Sequence, residues 1–255
     1  MKKILIVLVI ALSVIACKTA SKKEIIEEIF KENLVEPKKY PKVLTEVLKK
    51  HGGINNWQKM KTLSFSLNDQ EHTTDLHSRK TVINSKEYSL GFDGNNVWVS
   101  DTTKYKKDPK FYYNLYFYFY AMPFVLADDG IVYSETKPLE FEGKKYPGIK
   151  ISYQSNVGSS PDDNYYMYYD EVTKEMSWLA YTVTYFSKET SSKTSIIRYN
   201  DWENVNGFLL PKSLTWYQKD EKGNPTEPAR EPTKFVLPLL SEASFDADFY
   251  RKPTK

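Results

Sequence analysis

The chain has 255 residues, 36 of them basic and 33 acidic, for a formal net charge of +3, with 40% hydrophobic and 15% aromatic side chains and a single cysteine. The near-neutral balance excludes the electrostatic footprint of a nucleic-acid binder, and one cysteine excludes a disulfide within the chain. The length suits one large all-β core, so stability has to come from packing.

Met1-Lys2-Lys3 and the apolar run ILIVLVIALSVIA read as an export signal, shorter than the roughly 20 residues a bilayer-spanning helix needs. The run ends in Val14-Ile15-Ala16-Cys17, which resembles the bacterial lipobox, with Cys17 as the lipidated residue. Residues 1–16 are therefore expected to be a lipoprotein signal peptide. Residues 17–40 are the anchor, linker and first helix, and 41–250 a single half-barrel domain. Attachment then rests on acyl chains, each buried CH₂ contributing about 0.8 kcal/mol. Lys18, in place of Asp after the cysteine, gives no reason for retention in an inner membrane. The expected address is the outer membrane, periplasmic face.

Ser21-Lys22-Lys23-Glu24 forms a capping box ahead of IIEEIFKENL, a helix that Pro37 ends. A second helix starts near Pro41, carries Val43, Leu44, Val47 and Leu48 on one face, and stops at His51-Gly52-Gly53. Trp57 and Met60 belong to a further helical turn. The period then changes to two: Leu63, Phe65 and Leu67 alternate with polar residues, as do Ile149, Ile151 and Tyr153, then Leu179, Tyr181, Val183 and Tyr185, and more loosely Leu210, Leu214 and Trp216. Turns fall at Asp93–Asn96, Glu142–Lys145, Asp170–Lys174, Val205–Gly207 and Lys222–Pro225. About ten or eleven strands in an antiparallel meander must curl or close. The fold class is mainly β with helices.

The stretch 93–128 interrupts this meander. Asp108-Pro109 is a helix start, and the residues up to Met122 show no strand alternation and no polar face except Asn114. An all-round apolar helix is a buried one, and Pro123 ends it. The expectation is a curved antiparallel half-barrel plugged or lidded by one aromatic helix. Its interior is either a solid core or a cavity, the tyrosine surplus favouring a partly wet site because buried phenols need partners.

The order HGGINNWQKMKTLSFS, GFDGNNVWVSD, the aromatic helix, YYMYYDEVTKEMSWLAYTV and YNDWENVNGFLLPKSLTW resembles the lipoprotein-carrier superfamily of the bacterial Lol system, and within it lipoproteins of the Bacteroidota. The resemblance spans roughly Leu44 to Leu240. It implies a half-open β-barrel with a helical lid and a cavity for a lipid, a lipoprotein acyl chain or another apolar ligand. Trp98, Phe111, Tyr112, Tyr116, Phe117, Phe119, Tyr120, Phe124, Trp178 and Tyr181 are the expected cavity residues. No motif assigns the carrier's interior arginine to Arg79 or Arg198, and the soluble carrier lacks the anchor expected at Cys17.

Other constellations read as structural. His72 and His77, five apart, share neither a strand face nor a helix face, so EHTTDLH is taken as a polar hairpin rim and no metal site is expected. Asp93-Gly94-Asn95-Asn96 has Val97 where a calcium loop needs an oxygen. Gly158–Pro161 is not a nucleophile elbow, and Asp162 and Asp163 read as solvated turn carboxylates. Lys104, Lys106, Lys107 and Lys110 form a solvated loop or, alternatively, a basic rim for anionic head groups. No cofactor and no catalytic residue are expected. The functional expectation is a non-enzymatic lipoprotein, binding an apolar ligand or, alternatively, serving as a structural or interaction protein with a packed interior. Its membrane partner is reached through the N-terminal lipid, and its oligomeric state is left open.

Overall fold

The apolar positions 44, 47 and 48 recur with helical spacing, and Lys42–Lys50 is helical (α1), burying Leu44, Val47 and Leu48. Gly52 and Gly53 end it with φ of 119° and 88°. Only glycine fits at 52, because a Cβ there would meet the Phe208 ring at 2.7 Å. A short helix, Ile54–Trp57 (α2), follows and stacks Trp57 on Phe124 with ring centroids 4.2 Å apart. The computed structural model describes residues 40–153, 162–187 and 191–254, so the leader, Cys17 and the helix expected from Ser21 lie outside the described residues. Tyr40–Lys255 form one compact unit.

Sixteen strands are described, in three sheets that do not close. The first runs β16-β1-β2-β3-β4-β5, with β1 Thr62–Leu67, β2 Gln70–Asp75, β3 Thr81–Asn84, β4 Ser89–Phe92, β5 Val97–Val99 and β16 Val236–Ser241. The second runs β14-β13-β12-β11-β10-β9-β6, with β6 Ile131–Glu135, β9 Gly148–Tyr153, β10 Tyr165–Tyr169, β11 Met176–Tyr181, β12 Ser195–Val205, β13 Phe208–Lys219 and β14 Pro225–Pro228; β15, Thr233–Lys234, also pairs with β13. A separate hairpin, β7 Leu139–Phe141 and β8 Lys144–Tyr146, makes the third. The strand pairings in the first two sheets are antiparallel among the described residues, as the alternation requires. The count exceeds the ten or eleven expected, because pieces such as β7, β14 and β15 are too short to show a period.

Phe235 is where the chain changes sheets. Lys234 pairs with Ser213 of β13, while Val236 pairs with Ser66 of β1. The Phe235 ring turns inward against Phe65 and Tyr120, at 5.3 and 4.6 Å. The main core lies between the two large sheets: Leu63, Phe65 and Leu67 from one, Ile151, Met167, Leu179, Ile197 and Leu214 from the other, with aromatic residues from 117–124 between them.

The aromatic stretch departs from the single helix expected over 109–122. Pro109–Tyr112 (α3) begins at Asp108, whose carboxylate accepts the Lys110 N–H at 2.8 Å. Tyr113 and Asn114 leave the helix, and Leu115–Tyr120 (α4) restarts it. Asparagine and bulky aromatics are mediocre helix formers, and packing two short helices suits this segment to two different neighbours. A 3-10 turn, Phe124–Ala127, follows the cis Met122–Pro123 bond.

The strand expected to run from Leu179 to Tyr185 stops at Tyr181. Asp163 draws the next residues away: it accepts the Thr184 N–H at 2.7 Å and faces the Thr182 hydroxyl at 3.3 Å. Asp163 is 6% exposed, so it is a buried, bonded carboxylate and not the solvated turn residue expected. His72 likewise is buried, stacked on Phe65 at 4.8 Å, instead of lying on a polar rim. His77 does sit in the turn, its Nε2 2.9 Å from the Met60 carbonyl.

Candidate ligand-binding site

Antiparallel register gathers one aromatic side chain from each of β9, β10, β11 and β13. Tyr165 stands opposite Tyr181 and opposite Ile151, two residues before Tyr153 on the same face. Tyr181 stands opposite Ser195 and Trp216 opposite Ile197, again two residues apart and so on one face. The four rings make a row across the sheet. Tyr153 and Tyr165 meet edge to face at 6.0 Å, Tyr165 and Tyr181 stack at 6.3 Å, and the Trp216 Nε1–H donates to the Tyr181 hydroxyl at 3.0 Å.

The opposite wall comes from α3 and α4. Phe111 comes from α3, Asn114 from the break between the helices, and Leu115, Tyr116, Tyr118 and Phe119 from α4. Phe119 closes on Tyr181 and Trp216 at 5.2 and 5.7 Å. Between the walls lies an open cavity of about 330 Å³, within the size range of small-molecule sites. Lys110, Val183, Tyr185 and Arg230 also line it, and Asp163 and Thr182 contribute to its wall.

Burial pushes the Tyr165 phenol well above its ordinary pKa, with Tyr153 and Asp163 adding to the shift, and it also raises Tyr118 and Tyr153. These phenols stay neutral O–H donors. Burial raises Tyr181 too, opposed by its bonds to Trp216 and Ser195. Arg230 lies flat over the Trp216 ring, 3.8 Å from its centroid.

Four of the expected cavity residues meet here: Phe111, Tyr116, Phe119 and Tyr181. Phe117, Tyr120 and Phe124 instead fill the core between the sheets. Tyr112 turns the other way and donates to Gln70 Oε1 at 2.6 Å. Trp98 lies outside, with Val82 and Tyr250, its Nε1–H on the Tyr250 carbonyl at 2.9 Å. Gly91 makes room for that ring, since a Cβ there would sit 2.7 Å from it. Trp178 is on the far face of its sheet, because it alternates with the core residue Leu179; it packs with Phe141 and Tyr217 under the β7–β8 hairpin. Arg198 lies 4.4 Å over its ring.

Sequence reasoning missed Tyr118, Tyr153, Tyr165, Trp216 and Arg230 as cavity residues. Tyr153 and Trp216 were visible in alternating runs, and strand register would have joined them; Arg230, in a loop, left no local signal. No grouping of three or more His, Cys, Asp or Glu suited to a metal is found among the described residues.

No family model matches the chain, and no curated protein matches it. Among solved structures it is similar to a LolA superfamily protein of Nitrosomonas europaea, at 7% identity over 82% of this chain and 97% of that one, with a TM-score of 0.41. A putative outer membrane lipoprotein-sorting protein domain from Vibrio parahaemolyticus gives 6% identity, 81% and 94% coverage and a TM-score of 0.38. A DUF1329 family protein from Desulfovibrio piger gives 6% identity, 82% and 95% coverage and a TM-score of 0.44.

Proposed function

We propose that this chain is a lipid-anchored envelope protein, held at the periplasmic face of the outer membrane through Cys17, that binds one apolar or amphiphilic molecule such as an acyl chain without acting on it chemically. The observation that carries this reading is the cavity between the α3–α4 aromatics and the ring row of β9, β10, β11 and β13. Its volume suits a single chain or small molecule. The carboxylate in its wall, Asp163, is committed to backbone and threonine hydrogen bonds, which fits a binding wall better than a reacting group.

Full-length protein released from its own membranes in mild detergent is expected to carry about one equivalent of a co-purifying lipid by mass spectrometry of the organic extract. Val183→Trp, placed at the exposed lip, should empty it. If wild-type protein repeatedly carries none, and delipidated protein binds no single-chain amphiphile in calorimetry, the reading is wrong. Anchoring is tested apart: Cys17→Ala should move the protein out of the membrane fraction.

The alternative is a structural or interaction lipoprotein with a packed interior. It is favoured by Phe117, Tyr120 and Phe124, which occupy the space between the sheets themselves.

A further inference from the structure

The walls and opening of the cavity bring together charges of both signs, and the carboxylates among them are already hydrogen-bonded. Asp163 has its hydrogen bonds, and Asp108, near the opening, takes the Tyr185 hydroxyl at 2.8 Å. Tyr181 accepts from Trp216. What remains over is the charge of Lys110 and Arg230, both exposed residues that line the cavity and form no ion pair among the described residues. Stacking on Trp216 holds the Arg230 guanidinium over the pocket wall while leaving its N–H edges available. A ligand offering only methylenes would leave these two charges unmet, whereas an acidic head group pairs with them.

Resting on the binding reading above, we infer that the ligand is a single-chain anionic amphiphile whose acid group meets Lys110 and Arg230 at the opening while its chain lies along the ring row. A carboxylate and a phosphate monoester share this chemistry: each offers acceptor oxygens and negative charge, and a guanidinium takes either in bidentate fashion. The aromatic row supplies the apolar contact, with few aliphatic side chains beyond Leu115 and Val183.

The test uses delipidated full-length protein and three ligands of equal chain length: dodecanoic acid, dodecyl phosphate and dodecanol, titrated by calorimetry at pH 8 in low salt. Either anion is expected to bind at least 10-fold tighter than the alcohol, and the tighter of the two names the head group. Raising the salt should shrink that advantage. Lys110→Gln with Arg230→Gln should bring the anions down to the affinity the same variant shows for the alcohol. Equal binding of all three ligands, untouched by the double variant, would overturn the anionic assignment and leave the binding reading standing. Binding of none of them, in wild type, would take down both.

Discussion

The Arg79 Nη2 donates to both carboxylate oxygens of Asp128, at 2.6 and 2.7 Å. The pair ties the β2–β3 turn to the residue that closes the aromatic segment, and the same guanidinium lies 5.0 Å over the Phe117 ring. Asp128→Ala should cost about 1–2 kcal/mol, because a partly buried guanidinium loses a counter-charge while solvent reaches part of it. Urea unfolding measures this. A double-mutant cycle with Arg79→Ala should return a coupling well above that of an exposed ion pair, and additive single effects would show that the pair holds nothing together.

Two buried histidines set an acid limit on the fold. The His51 Nδ1 faces the Leu209 carbonyl at 3.1 Å and its Nε2 accepts the Met176 N–H at 3.1 Å, so the ring is a neutral Nδ1–H tautomer. Burial lowers its pKa from 6.5 to about 4, against the opposing pull of the Leu209 bond and Glu175, and lowers that of His72 to about 3. Both folded values lie below the unfolded one, so the unfolded chain takes up protons first. Stability should be level above about pH 6.5 and fall by roughly 1.4 kcal/mol per pH unit for each histidine below it, until the folded rings themselves titrate. His72→Phe, which removes an unpartnered Nε2, should reduce that slope. An urea midpoint that stays constant from pH 7.5 to 4.5 would contradict this account.

Neighbouring phenylalanines of α4 should behave differently. Phe117 is 1% exposed among core residues, and Phe117→Ala should cost about 3–5 kcal/mol. Phe119 also packs on Tyr181 and Trp216 in the cavity wall. In Phe119→Ala, dodecanoic acid affinity should drop in calorimetry at temperatures where the protein is still folded. Equal ligand affinity in the two variants would mean that α4 does not present one residue to the core and the next to the site.

Trp178 offers the converse control. Its ring sits with Arg198, Phe141 and Tyr217 on the face away from the cavity. Trp178→Ala should destabilise by about 3–5 kcal/mol and leave the dissociation constant of the folded protein unchanged. A weakened affinity at full folding would place Trp178 in contact with the site after all.

The alternation of Leu63, Phe65 and Leu67 was enough to orient β1, because a period of two has one meaning when one face is buried. The same logic located β9 and β13, while cap chemistry located the Asp108-Pro109 start of α3. It did not find the break at Asn114, since a run of aromatics has no polar face against which a helical period shows. Nor did it separate Trp178 from Leu179: the sheet is covered on both faces, so burial alone no longer says which side a residue takes. The site had a similar limit. Tyr153, Tyr165, Tyr181 and Trp216 each looked like an ordinary strand aromatic, and only pairing across the strands puts them in one row. Asp163 was hidden because its partners, Thr182 and Thr184, are brought to it by a strand that ends early.

Because neither large sheet closes, each keeps two margins, and β16 and β14 are the outermost strands on one side. Such margins expose unsatisfied backbone groups that can recruit a strand from another molecule. Both strands contain proline: Pro238 in the first, Pro225 and Pro228 in the second. A proline has no N–H to offer a newcomer, and Leu237, 79% exposed with φ 54°, bends the β16 margin further from a flat template. The open architecture thus carries, in these proline nitrogens, a protection of the β16 and β14 margins against growing into a polymer.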